Sequence, residues 1–262
     1  MESILIFLVT GAAAGVLSGL FGVGGGLILV PVLTFVLPHQ GVPAEAAVKT
    51  ALGTSLAVIA CHSIASAHAH NGRGGVIWRV VAQLAPGLAI GSFAGAYVAH
   101  LLTGATLKHI VAVGALLIAI QMALDLKPRT AHQLPGTAGM LGVGGVIGIA
   151  SALVGIGGGS LTVPFLTWCS VELRKAVGTS AACGAVIAAA GAVGFALTGL
   201  NATVTGPNTL GYVSVPGFIT LMIASVSTSG FGAKLAHHLP QALLRRLFAL
   251  FLCFVATALW LA

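Results

Sequence analysis

Two clusters of glycine interrupt apolar stretches of the chain, at Gly22–Gly26 and again at Gly155–Gly159. Glycine inside a helix costs roughly 1 kcal/mol relative to alanine, so each cluster predicts an unwound turn followed by a short helix beginning near Gly26 or Gly159. The first N–H groups of such a helix are unpaired and carry partial positive charge. The alternative is close packing of membrane helices. We predict that an anion is bound by Gly24, Gly25, Gly26, Gly157, Gly158 and Gly159.

Hydroxyl groups near these clusters are expected to supply further hydrogen-bond donors to an oxyanion. The alternative is that each hydroxyl bonds to a carbonyl of its own helix, as serine and threonine often do in membranes. The expected set is Ser18, Ser151, Ser160, Thr54, Ser55, Thr179 and Ser180.

Lys49 and Arg174 each precede a Gly-Thr-Ser triplet by four residues. We expect them to line opposite mouths of a pathway and to attract anions; the alternative is that they are ordinary interfacial side chains that extend towards water. His62 lies within an apolar stretch, where it is either a proton relay or a packed, neutral histidine.

The four acidic residues argue against two other classes of function. Glu45 and Glu172 fall at expected helix starts, where negative charge is favourable, and the other two fall at the amino terminus and in a polar linker. No carboxylate is therefore expected in mid-membrane as a cation or proton relay, and an enzyme using acid–base catalysis would lack its acids. No cofactor or metal is expected, because the histidines and cysteines show no ligand spacing.

The composition indicates an integral membrane protein. Hydrophobic residues make up 58% of the chain, charged residues only 6%, and the mean hydropathy is +1.09, whereas soluble domains carry about 25% charge. The net charge of +7 comes from scattered Lys and Arg, which we interpret as topology signals and not as a nucleic-acid surface. All apolar segments are predicted to be helical. They fall at about 4–37, 44–68, 76–101, 107–124, 136–168, 172–199, 209–236 and 242–261.

The chain contains an internal repeat. SGLFGVGGGLILVPVL, from Ser18, matches SALVGIGGGSLTVPFL, from Ser151, at nine of sixteen positions, and the Gly-Thr-Ser triplets and a GAxxAH motif recur in the same order. Duplications of this kind predict two similar halves. We expect a first membrane repeat at 1–125, a polar linker at 126–135 and a second repeat at 136–262.

The positive charges predict how these halves are oriented. If the glycine-broken first segment of each half enters and leaves on the same face, nine of the eleven Lys and Arg residues share one side of the membrane, as the positive-inside rule requires. Each half then has three true crossings, so the second is inverted relative to the first. Inverted repeats with broken helices are a transporter design, and both termini are expected on the outer face.

These motifs resemble the TauE/SafE sulfite exporter family, also called TSUP. The likeness rests on the paired glycine stretches, the Gly-Thr-Ser triplets, HNGRGGVIWR from His70 and GAKLAHHLPQALLRRLFAL from Gly232. It implies a secondary transporter of the inner membrane that moves sulfite, sulfoacetate or related organosulfonates, with the glycine hairpins lining the substrate site. Ile77 departs from the acidic residue expected there in many members. Expected partners are a small anion and the lipid bilayer, and a homodimer is left open.

Export is the favoured direction, because moving one negative charge out of a cell with a negative interior gains about 2.3 kcal/mol per 100 mV. A proton-coupled importer of a related anion such as thiosulfate, with His62 as the relay, is one alternative. An anion channel, which needs a continuous wet pore, is another. An intramembrane enzyme and a metal carrier using His and Cys are further alternatives, without a supporting motif in the chain.

Overall fold

The computed structural model describes residues 2–21, 25–123, 133–200, 202, 206–236 and 241–261. Within these ranges the chain forms ten α-helices, one short 3-10 helix at Leu37–Gln40 and a two-stranded antiparallel hairpin. The α-helices are α1 Glu2–Phe21, α2 Gly26–Val36, α3 Ala44–Asn71, α4 Trp78–Leu101, α5 Gly104–Ala123, α6 Thr137–Val154, α7 Gly159–Trp168, α8 Leu173–Leu200, α9 Val215–Ala236 and α10 Gln241–Leu261. The strands are β1 Thr209–Leu210 and β2 Val213–Ser214, with Thr209 opposite Ser214 and Leu210 opposite Val213.

The protein is an all-α polytopic membrane protein, as predicted. Helices α3, α4, α5, α6 and α8 are each long and apolar enough to cross a bilayer, and α1, α2, α9 and α10 contain shorter apolar stretches. Large apolar side chains cover the outside; Val146 and Phe254, for example, are 69% and 71% exposed. Such an exposed apolar surface is typical of helices that face lipid.

One predicted segment is wrong at its start. We expected a helix from residue 209, but α9 begins at Val215 and the residues before it form the β1–β2 hairpin. Asn208 and Gly211 adopt positive φ angles of 57° and 56°, which a helix does not allow. The Tyr212 N–H donates to the carbonyl of Phe195 on α8 at 3.2 Å, so contact with another helix replaces the first helical turn.

The same order of elements occurs twice: a helix, a short helix and three further helices, as α1–α5 and as α6–α10. The first helix of each series packs against the fourth helix of the other, so that α1 contacts α9 and α6 contacts α4, while α3 pairs with α8 and α5 with α10. The two series are therefore interlocked, and each covers apolar faces of the other.

Glycines on α1 and α6 permit this close packing. A Cβ at Gly11 or Gly15 of α1 would collide with backbone atoms of α9, and a Cβ at Gly144 or Gly148 of α6 would meet backbone atoms of α4 in the same way. Small residues at i and i+4 let membrane helices approach at backbone distance. Close packing is thus the role of these glycines, and glycines of the clusters are closely packed as well, since a Cβ at Gly26 would collide with the carbonyl oxygen of Gly155.

Candidate functional site

The second glycine cluster breaks its helix at the predicted place. Helix α6 ends at Val154, Gly155 adopts a left-handed conformation with φ 74°, and α7 begins at Gly159. In the first cluster Gly25 is left-handed at φ 72°, and α2 begins at Gly26. The predicted helix starts at Gly26 and Gly159 are therefore confirmed. Gly24 and the side chain of Ser18 lie outside the described residues.

The start of α2 meets the turn that precedes α7. A Cβ at Gly26 would collide with the carbonyl oxygen of Gly155, and the Ile59 side chain of α3 contacts both Gly26 and Gly157. From the other side, the Cα of Gly184 on α8 would lie only 3.1 Å from a Cβ at Gly158. The middle of the α3–α8 pair therefore holds the junction of the two broken helices, which we call the glycine junction.

Buried hydroxyls without a hydrogen-bond partner lie near this junction. Ser55 precedes Ile59 on α3 by one turn, and Ser180 precedes Gly184 on α8 by one turn, which places each pair on one helix face. Ser55 and Ser180 are 0% and 1% exposed. Four of the seven predicted hydroxyls have a buried oxygen with no partner among the described residues: Ser55, Ser151, Ser160 and Ser180.

Two of these serines flank the second glycine turn. The carbonyl of Ser151 accepts the N–H groups of Gly155 and Ile156, and Ser160 lies in the first turn of α7, where the helix presents its unpaired N–H groups. Elsewhere hydroxyls do bond to their own helix: Thr34 donates to Val30 and Thr198 to Gly194, both at 2.8 Å. The hydroxyls of Ser151 and Ser160 have no such partner among the described residues.

Sequence reasoning missed two further hydroxyls of this kind. Thr50 on α3 and Thr162 on α7 are buried and have no partner for their hydroxyl oxygen among the described residues. In the repeat Thr162 corresponds to Leu29, and Thr50 corresponds to Lys175. A search for hydroxyl residues repeated in both halves passes over both positions, and the signal available for Thr162 is its place in the first turn after Gly159.

The threonines of the Gly-Thr-Ser triplets behave differently from the serines beside them. The Thr54 hydroxyl accepts the N–H of Ser214, just before α9, at 2.9 Å. The Thr179 hydroxyl accepts the N–H of Ile77, just before α4, at 3.0 Å. Each triplet on one helix series therefore binds the loop that leads into the fourth helix of the other series. We call these two hydrogen bonds the Thr54 contact and the Thr179 contact.

The glycine of each triplet allows the loop to approach. A Cβ at Gly53 would collide with the carbonyl oxygen of Tyr212 and lie 2.9 Å from the Cβ of Phe195, and a Cβ at Gly178 would collide with the carbonyl oxygen of Gly75. It would also lie 3.1 Å from the Cβ of His70 on α3. Helices α3 and α8 therefore run antiparallel, with one contact towards each end of the pair.

Lys49 and Arg174 occupy equivalent positions but different surroundings. Lys49 is 7% exposed; its ammonium donates to the carbonyl of His100 at 2.9 Å and lies 5.7 Å from the centre of the Tyr212 ring. Arg174 is exposed at the start of α8. That both residues attract anions stays a prediction. The structure shows in addition that Lys49 binds a carbonyl at the end of α4.

His62 is partly buried in the middle of α3, where its Nε2 lies 2.7 Å from the hydroxyl of Ser225 on α9. This contact joins the two helix series close to the glycine junction. Within the described ranges no group of three His, Cys, Asp or Glu side chains is arranged to hold a metal ion.

Sequence comparisons show which proteins this chain resembles. A family profile described as Sulfite exporter TauE/SafE matches residues 7–259. The chain is 38% identical to a probable membrane transporter protein of Haemophilus influenzae over 98% of both chains. It is 27% identical to one of Methanocaldococcus jannaschii over 88% of this chain and 85% of the relative, and 28% identical to one of Xylella fastidiosa over 98% and 94%.

Proposed function

The chain belongs to the Sulfite exporter TauE/SafE family and is a multi-pass membrane transporter, and from this premise we propose that it exports small sulfur-containing oxyanions such as sulfite or organosulfonates. The substrate is bound at the glycine junction and is exposed alternately to the two sides of the membrane. We place the protein in the inner membrane, with both termini on the outer face.

The observation that carries this proposal is the group of buried, unpartnered hydroxyls at the junction. A buried hydroxyl without a partner costs about 1–3 kcal/mol. The three oxygens of a sulfite ion or a sulfonate head accept several hydrogen bonds at once. An anion that receives bonds from Ser151 and Ser160, which flank the second glycine turn, would offset that cost.

The helix starts supply the complementary electrostatics. The amino-terminal ends of α2 and α7 each carry partial positive charge, and both lie at the junction. A site made of helix dipoles and neutral hydroxyls stabilises an anion without a buried cationic side chain, whose strong attraction would slow release. Such moderate binding suits a carrier that must discharge its substrate on each cycle.

The antiparallel arrangement of α3 and α8 supports the proposal that residues 1–125 and 136–262 are inverted repeats, because equivalent helices of inverted repeats must run in opposite directions.

The membrane potential favours outward movement of an anion by about 2.3 kcal/mol per charge at 100 mV. Export therefore requires no coupling ion in this scheme.

The test begins with thermal unfolding of the detergent-purified protein in sulfite, thiosulfate, sulfate, sulfoacetate or taurine, because a ligand that binds the folded state raises the midpoint. We expect sulfite or sulfoacetate to raise it. The double variant Ser151→Ala/Ser160→Ala should then need at least about tenfold more ligand for the same shift, corresponding to the loss of hydrogen bonds to an anion.

Ser227→Ala is the matched control, because the exposed Ser227 hydroxyl donates to Ile223 of its own helix; it should bind like the wild type. Binding by the double variant at wild-type strength would refute a site at the junction. In reconstituted vesicles, saturable flux with counterflow would support a carrier, and unsaturable flux would indicate a channel.

A second candidate function is a proton-coupled importer of a related anion such as thiosulfate. The contact between His62 and Ser225 favours it, because it places a titratable group beside the junction and between the two helix series. In the same vesicles, uptake that follows an imposed pH gradient and is lost in His62→Gln would select this candidate over the exporter.

A further inference from the structure

We propose that the Thr54 contact and the Thr179 contact are the two gates of the transport pathway, and that they open one at a time. This inference rests on the proposed transport function, but its residues are separate from the hydroxyls that we assign to the anion. It gives the threonines of the Gly-Thr-Ser triplets a role in positioning the gate loops.

The two contacts lie on either side of the glycine junction. The Thr54 contact is level with Gly53 and the Thr179 contact is level with His70 on α3. Seventeen residues of helix separate these levels, about 26 Å at 1.5 Å per residue, nearly the 30 Å thickness of the hydrocarbon core. Ile59, which contacts the junction, lies between them. A substrate bound there must pass one contact to reach either side.

Each contact joins a loop of one helix series to a helix of the other, so that its opening separates the two series at one end only. The Thr54 contact holds the loop before α9, and the Thr179 contact holds the loop before α4. Each contact is one hydrogen bond beside a close backbone approach, and at the Thr54 end the Tyr212 N–H adds a bond to the carbonyl of Phe195. Interactions of this size can be broken and remade in every transport cycle.

The packing of α9 and α4 connects each gate to the anion site. Helix α9 packs against α1, which leads into the first glycine cluster, and α4 packs against α6, which leads into the second. Glycines hold both pairs at backbone distance, so each pair is expected to move as a unit. Displacing α9 or α4 would therefore shift a glycine turn at the same time as it opens a gate.

Both contacts are formed in this structure, which therefore has the arrangement of an occluded state. Cys183, on α8 directly before Gly184, is 0% exposed, so a reagent reaches its thiol only when the packing around α8 opens. In the full chain with all four cysteines, mass spectrometry can quantify labelling of Cys183 by a membrane-impermeant thiol reagent. The reagent is added to right-side-out vesicles in one arm and to inside-out vesicles in the other.

Thr54→Val and Thr179→Val keep the shape of the side chain and remove the acceptor, which leaves a loop N–H without its partner. We expect each variant to increase labelling of Cys183 by about fivefold or more, and from opposite sides of the membrane. The requirement for opposite sides holds whichever face is the outer one. Increased labelling from the same side in both variants, or no increase in either, would overturn the proposal.

Thr198→Val is the matched control on α8, because the Thr198 hydroxyl bonds only within its own helix; it should label like the wild type. Thr54→Ser and Thr179→Ser retain the acceptor and should also label like the wild type, so valine-like labelling of these variants would contradict the proposal. If a valine variant does not accumulate in the membrane, Thr54→Ala or Thr179→Ala replaces it.

The labelling needs no substrate and is therefore independent of the anion. If no sulfur oxyanion binds the protein, the proposed substrate fails and the gates are still tested. If anions bind and labelling is unchanged, the gates fail and the anion site stands.

Discussion

At the two ends of the α3–α8 pair, buried hydroxyls have hydrogen-bond partners, whereas several buried hydroxyls in its middle have none among the described residues. At the ends, Thr54 and Thr179 accept backbone N–H groups from the opposite helix series. In the middle, Ser151 and Ser160 beside the second glycine turn have a buried hydroxyl oxygen without a partner among the described residues, and so do Ser55 and Ser180, directly next to those threonines. One triplet therefore contains two different hydroxyls: that of the threonine accepts an N–H of the other helix series, and that of the serine has no partner among the described residues.

The largest expected effect concerns the ends. Gly53→Leu or Gly178→Leu places a side chain where the carbonyl oxygen of Tyr212 or of Gly75 lies. Backbone cannot yield as a flexible side chain does, so we expect a loss of about 3 kcal/mol of stability or more. The measurement is the thermal midpoint and the yield of monodisperse protein in detergent.

Gly142→Leu is the control for the glycine variants, because a Cβ at Gly142 on α6 has no neighbour within 4 Å. It should fold with a midpoint close to that of the wild type. If Gly53→Leu and Gly178→Leu are as stable as this control, the loops do not depend on close approach to the triplets, and the contrast between middle and ends loses its basis.

Within one triplet, removing the serine hydroxyl and removing the threonine hydroxyl should change the stability of the protein in opposite directions, by less than the glycine substitutions do. Ser55→Ala removes a buried hydroxyl that has no partner, so the ligand-free protein should keep its stability or gain up to about 1 kcal/mol. Thr54→Val leaves the N–H of Ser214 unpaired and should lose about 1–3 kcal/mol. Thermal midpoints of the two ligand-free variants make the comparison, and a loss of equal size in both would mean that Ser55 has a structural role like that of Thr54.

The sequence predicted the helix starts at Gly26 and Gly159 because clustered glycine is a local signal that acts through backbone conformation. It also identified the two triplets through the repeat. It could not separate the roles of Thr54 and Ser55, because these depend on which loop of the distant helix series approaches α3. The hairpin before α9 was missed for the same reason: Tyr212 docks on Phe195, which no local pattern of residues 209–214 reveals.

The smallest expected effect is a pH dependence that belongs to the Thr54 end of the α3–α8 pair and not to the Thr179 end. Tyr212 belongs to the Thr54 end, where its hydroxyl lies 3.2 Å from Nδ1 of His100, whereas Gly75 takes the corresponding place at the Thr179 end. Burial, and secondarily the negative charge of Glu45, raise the pKa of Tyr212 above its ordinary value of 10.0. The folded state therefore favours the neutral phenol.

Because proton binding by Tyr212 is coupled to folding, the direction of its pKa shift fixes how the stability of the protein changes with pH. Below about pH 10 both states hold the phenolic proton and the full stability is present. As the pH rises through the folded pKa, the unfolded chain releases the proton first, so stability falls. Tyr212→Phe should cost about 0.5–1.5 kcal/mol near pH 7 through the lost hydrogen bond, and should lose less stability than the wild type between about pH 9 and 11.

Tyr97→Phe, at an exposed ring on α4, is the control and should follow the wild-type pH profile. If the gates are distinct, high pH should also increase labelling of Cys183 from the side of the Thr54 contact more than from the other side, and Tyr212→Phe should remove that asymmetry. An equal increase from both sides would show that the two ends share one alkaline transition, and the ionisation of Tyr212 would then not be what distinguishes them.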